Sequence, residues 1–171
     1  MRRVENLFTS QEFSSTSEAI DWDPFKEDDA LEDAQLLDSR VCPTANRAAL
    51  LFDMRTASYY PSGNSALLVV RGLRSFHWSG MPQSQKLMAF TAVSSRPHEI
   101  ANEGFRLELE FFPDGILSVS GERADFYLLE AHDLPEAPPS YPDLVLDQVR
   151  HGLPWWDSAC TVLASSSASS D

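Results

Sequence analysis

FRLELEFFPDGILSVSGERADFYLLE, residues 105–130, is the stretch whose reading decides the fold. Phe105, Leu107, Leu109 and Phe111 fall on one side of a period of two, with Arg106, Glu108 and Glu110 on the other. Successive side chains of a strand point to opposite faces, so this alternation is that of a half-buried strand with its charges outward. Pro113–Asp114–Gly115 is a turn with a mechanism, because proline presets φ and glycine accepts the left-handed position. The chain then returns through ILSVSGERADFYLLE. Gly121 marks a bulge or break, after which Ala124, Phe126 and Leu128 resume one face and Tyr127 and Leu129 take the other. Strands joined by so short a turn pair antiparallel.

The same grammar extends upstream. AQLLDSRVC (34–42) reads as a first strand, ended by Pro43, and RAALLFDMRTASYY (47–60) as a second. PSGN (61–64) is a turn, and SALLVVRGLRSFHW (65–78) holds the continuous apolar run of a strand covered on both faces. KLMAFTAVSS (86–95) reads as a further strand. Downstream, the proline-rich AHDLPEAPPSYPD (131–143) precedes PDLVLDQVRHG (142–152), which carries helix signals. Pro142 and Asp143 stand in its first turn, Arg150 and His151 in its last, and Gly152 is the stop. Trp155 and Trp156 would pack this end back on the sheet. These features predict an α+β fold, mainly an antiparallel β-meander with a C-terminal helix and flexible termini. Residues 1–20 are expected as a flexible or partly helical arm, 21–163 as a single α+β domain, and the Ser-rich 164–171 as a disordered tail.

At 171 residues the chain can bury one proper core, and 43% apolar with 11% aromatic residues is the composition of a folded protein. Its formal charge of −13 sets it against nucleic acid, whose binders need basic surface, and against anionic membrane. A basic protein partner is the positive reading of that charge, and solubility alone is the other. No apolar run approaches the length of a membrane span, about 20 residues. The opening MRRVENLFTS lacks the apolar core of a secretory signal, so cytoplasmic residence is expected. Cys42 and Cys160 lie far apart without metal-ligand spacing, and whether they pair stays open.

No catalytic constellation emerges. His77, His98, His132 and His151 show neither the spacing of a helical metal pair nor a neighbouring cysteine. There is no GxSxG elbow, no GxGxxG and no Walker loop. The chain is accordingly expected to be no enzyme and to carry no cofactor and no metal. Glu108 and Glu110 belong to the solvated face of a strand. Trp78, Tyr59–Tyr60 and Trp155–Trp156 are mainly core by the same weighing, although exposed aromatics also anchor interfaces.

The remaining signal is the acidic stretch EAIDWDPFKEDDALEDAQLLD (18–38), in which Lys26 is the only base. Its bland reading is a solvated lead-in that packs an aromatic on the domain. Its functional reading is a docking surface, with Trp22, Asp23, Asp28, Asp29, Glu32 and Asp33 as candidate partner-binding residues.

Asp33, Ala34 and Leu36, followed by Leu107, Leu109, Phe111, Gly115, Leu117, Val119, Gly121, Ala124 and Phe126, form an ordered pattern. An acidic lead-in with a Trp, a DA-x-L opening of the first strand and a late hairpin of this type resemble small bacterial immunity proteins and related uncharacterised families, often actinobacterial. The resemblance implies a protein that binds and blocks a toxin of its own cell or a sibling. An inhibitor of a basic toxin or effector is therefore the expected function. The alternatives are a structural subunit or adaptor of a larger bacterial assembly (defence, phage or secretion) and a small-molecule binding domain with His77 and Trp78 near its pocket.

Overall fold

The computed structural model describes residues 1–13, 15, 18–80, 86–100, 104–142 and 144–169. Two strands organise it: β4 (Ser65–Ser79) and β7 (Gly115–Ala131), which pair antiparallel from Ser65↔Leu129 to Ser79↔Ile116. Both bend midway. Gly72 takes φ +58°, and a bulge between Leu73 and Ser75 faces Gly121. A Cβ at Gly121 would sit 2.5 Å from Val70 Cγ1 and 2.9 Å from the Arg71 carbonyl, so only glycine admits that approach. Beyond the bend β4 leaves β3, and β7 changes partner on its outer edge. The first half of β7 pairs with β6 (Gly104–Phe112), and its second half pairs with β8 (Ala159–Ser169).

β3 (Arg47–Asp53) lies beside the first half of β4, and β2 (Gln35–Cys42) beside β3. β2 then touches β5 (Phe90–Ile100) through Gln35↔Thr91 and Leu36↔Phe90, and β5 pairs with β6. The ladder β7–β4–β3–β2–β5–β6 thus returns to β7 as a closed antiparallel ring, with β8 outside it and β1 (Arg2–Arg3) on β8. Closure covers most of the strand edges that an open sheet would leave free, while the outer edge of β8 carries only the two residues of β1.

The ring is filled by the alternation seen in the sequence. Phe105, Leu107, Leu109 and Phe111 of β6 meet Leu117 and Val119 of β7, Leu50 and Phe52 of β3, and Leu68 and Val70 of β4. Phe25 enters from one end against Phe105 and Phe126, while Trp78 closes the other against Phe90 and Phe111. The outer face of β3, β4 and β7 is apolar as well: Ala49, Leu51, Leu67, Val69, Tyr127 and Leu129 are buried there. This explains the continuous LLVV run in β4. The cover is α1 (Val4–Thr9), through Val4, Leu7 and Phe8, together with Trp156. Arg47 and Arg71 clamp the chain after α1 by donating to the carbonyls of Phe8 and Ser10 at 2.7–2.9 Å, and Asp125 holds Arg71.

The antiparallel sheet is as expected, but the fold is mainly β, with 51% of the described residues in strands and 7% in helices, and the α+β assignment gives way. The expected helix over 142–152 shrinks to α2 (Leu146–Arg150), and Asp143 lies outside the described residues. β3 stops at Asp53 because Asp53 and Arg55 turn to each other: the guanidinium contacts both carboxylate oxygens, at 2.6 Å for Nη2–Oδ2. Arg55 also donates to the carbonyls of Pro135, Ala137 and Gly152, pinning the proline-rich connection. The Ser-rich end is corrected most sharply, since residues 159–169 form β8. The first turn of the chain is helical, as one of the two expected forms of the arm, and it is packed.

Candidate functional site

Residues 21–33 carry seven carboxylates against Lys26, and they run across one end of the ring in successive turns. Phe25, Ala30, Leu31 and Ala34 face inward and are buried, which fixes the segment's path. Asp29 and Asp33 adopt left-handed φ of 59° and 65°, a conformation that aspartate tolerates better than most residues. Asp29 bridges to β5, its amide donating to the Ser95 carbonyl at 2.7 Å and its Oδ1 accepting from the Ser95 amide at 3.1 Å. The Asp33 carboxylate takes a short hydrogen bond from the Ser58 hydroxyl, and the Asp33 carbonyl accepts from Thr56 at 2.8 Å.

Asp23 is a correction. It is buried, and its Oδ1 accepts from the Phe25 amide at 2.9 Å and from the Ser166 hydroxyl at 3.0 Å. Its work is to tie the acidic segment to β8 rather than to face a partner. Four of the six candidates keep an outward aspect, the exposed Asp33 among them although its carboxylate is engaged by Ser58. Asp28 is exposed and makes no hydrogen bond or ion pair among the described residues. Glu32 is half-buried and accepts from the Tyr59 hydroxyl at 3.4 Å. Trp22 keeps 42% of its surface in solvent.

Trp22 is held from two directions. Its carbonyl accepts the Tyr60 hydroxyl at 2.7 Å, and its indole lies over the Tyr59 ring with centroids 4.5 Å apart and planes 31° apart. The sequence contained no sign of this pairing, because 37 residues separate the two rings and only the return of the chain before β4 unites them. The Glu32 charge raises the Tyr59 pKa, helped by burial and by their hydrogen bond, so the phenol keeps its proton. Burial, then Asp23 and Glu27, push Tyr60 up as well.

Beside the stack is a groove of about 180 Å³. Its lining includes the apolar Leu128 of β7 and Leu163 and Ala164 of β8, joined by Ala19, Ile20 and Pro61, the aromatic Trp22, Tyr59 and Tyr60, and the acidic Glu18 and Asp21. Leu163 is the extra residue of a bulge in β8, opposite the Leu128–Leu129 step. A larger hollow, about 510 Å³, lies by α2 among Asp147, Arg150, His151, Trp155 and Asp157. Arg150 there stacks over Trp155 at 4.7 Å. His77 and Trp78 line neither of these, and Trp78 packs against Phe90 and Phe111 at the end of the ring while staying 42% exposed.

Cys42 and Cys160 are both free thiols, and burial pushes Cys160 up against a smaller opposing effect of Arg2. Among the described residues no group of three or more His, Cys, Asp or Glu could hold a metal ion, and no helix is long and apolar enough to cross a membrane. Comparison with protein-family models, curated proteins and solved structures finds no match for this chain.

Proposed function

We propose that this chain is a non-enzymatic protein-binding module that blocks a basic toxin or effector, in the manner of an immunity protein. The observation that carries the reading is the exposed Trp22–Tyr59 stack on a segment with seven carboxylates and one base. Interfaces draw most of their affinity from a few aromatic anchors, and opposite charge raises the encounter rate and selects the partner. A net charge of −13 extends the attraction beyond the contact itself. Asp21 and Asp28 make no hydrogen bond or ion pair among the described residues and Glu32 accepts only the 3.4 Å bond from Tyr59 on its side chain, so a partner's basic groups meet these carboxylates without breaking the fold.

The test is a pull-down with tagged protein from native lysate at low and physiological salt, repeated with Trp22→Ala and with Asp28→Asn/Glu32→Gln. One basic protein at equal stoichiometry, weakened by salt and by both variants, is the expected result. Capture indifferent to both variants, or a large repeating assembly, overturns the reading. The assembly outcome would favour a structural subunit. A second reading is favoured by the hollow beside α2, whose volume of about 510 Å³ falls within the range of small-molecule sites. A thermal-shift response to small anions or cations that Arg150→Gln abolishes would move the function there.

A further inference from the structure

The geometry points to the groove beside Trp22 as a receptor for one arginine side chain of a protein partner. This rests on the protein-binding reading and names the chemistry recognised. The volume sets the class of occupant. About 180 Å³ is below the ~300–1,000 Å³ of ordinary small-molecule sites, and it suits a single long side chain entering from outside.

The lining sets the chemistry. Leu128, Leu163 and Ala164 offer apolar surface to a methylene stem, and long basic side chains bury their stems while holding the charged head apart. The exposed indole of Trp22, stacked on Tyr59, lines the groove as a π surface, and tryptophan is the best of the aromatic residues for a cation. Asp21 supplies an exposed carboxylate at the rim, with no hydrogen bond or ion pair among the described residues. A neutral apolar guest would leave that charge beside it without recompense, whereas a cation satisfies both wall and rim.

Guanidinium suits this lining better than ammonium. It is planar, it stacks on aromatic faces, it is more weakly hydrated, and its fork matches a carboxylate. The groove is complementary in sign as well, since the 18–33 segment holds Lys26 as its single base.

The experiment follows the indole N–H signals of the ¹⁵N-labelled full chain by NMR, with Trp22 assigned by its loss in Trp22→Leu. The probes are N-acetyl-arginine amide, the citrulline analogue and N-acetyl-lysine amide. Citrulline keeps the shape and removes the charge. A saturable shift of the Trp22 signal with arginine, absent with citrulline and several-fold weaker with lysine, is expected. Asp21→Asn should weaken arginine about fivefold, the scale of one exposed charge or cation–π contact. The other indoles, Trp78, Trp155 and Trp156, should stay in place and so report an intact fold. Equal shifts with citrulline, equal shifts with lysine, or no saturable shift at all would each overturn the assignment. In those cases a partner still captured in a Trp22-dependent way would leave the protein-binding reading standing, while loss of that capture would remove the broader reading too.

Discussion

Arg55→Met is the most informative single perturbation of the framework. Asp53 is fully buried and the Arg55 side chain is 5% exposed, so their pair sits out of water. Methionine would preserve much of the apolar stem and remove the guanidinium. Asp53 would then be a buried charge whose remaining partner is the Arg55 amide, and the carbonyls of Pro135, Ala137 and Gly152 would lose their common donor. Breaking a buried pair by removing one partner costs ~3–5 kcal/mol, mostly from the stranded charge. For a chain of this size that corresponds to a fall in Tm of ~6–20 °C. The assay is urea unfolding at neutral pH, with hydrogen exchange read over residues 132–158. Exchange should quicken there first, because Arg55 pins that connection. The double variant Asp53→Asn/Arg55→Met should be more stable than Arg55→Met alone, since it removes the stranded charge. A loss below ~1 kcal/mol, or a double variant no better than the single, would refute the reasoning.

Asp23→Ala should lower stability by ~1–3 kcal/mol, because it leaves the Phe25 amide without its acceptor, while Asp28→Ala should stay within about 0.5 kcal/mol; paired denaturant curves decide. Truncation after Leu163 removes the rungs from Ala164↔Leu128 to Ser169↔Arg123, and each lost ladder bond should cost about 1 kcal/mol, which differential scanning calorimetry would register. Trp156→Phe deletes the 2.6 Å hydrogen bond from the indole, buried on the outer face of the sheet, to Asp38 of β2 and should cost ~1–3 kcal/mol in the same assay. Tyr141 is pushed up to about 12 by burial and then by Asp53, against Arg55, from an ordinary value of 10.0. The folded state therefore holds the phenol proton more tightly, so its contribution is complete below pH 10 and is lost as pH rises to about 12. Tyr141→Phe should show a shallower decline of the urea midpoint across that window.

The strands that face a core on one side and water on the other were plain in the sequence, and β6 is the clearest because Arg106, Glu108 and Glu110 keep strict time against their apolar neighbours. β8 was hidden for the opposite reason. Its Ser165–Ser167 run has no alternation of its own, and it is a strand because β7 supplies the ladder and Asp23 accepts from Ser166. α1 was legible only as one of two forms of the arm, because three apolar residues over six positions are too few to announce a helix, and it stands because the outer face of the sheet needs cover. In the candidate site, Trp22, Asp28 and Glu32 could be picked by composition. Asp23 could not be told from them, because burial of one aspartate among many depends on a serine 143 positions away. Tyr59 was noticed only as part of an aromatic pair, and its role came from tertiary proximity.

The sharing of β7 among β4, β6 and β8 has a consequence for synthesis. β4 has no partner for the edge that β7 fills until residues 115–131 are made, 52 positions after its own end at Ser79 if the wait runs to Ala131. At ~5–20 residues per second the ribosome needs about 3–10 s for that interval. Throughout it, Leu67 to Val70 is a two-faced apolar strand with one long side open, pairing at most with β3. Nascent-chain chaperones that hold extended apolar segments have a defined target in that run, and the protein's yield in a cell should depend on how long they keep it.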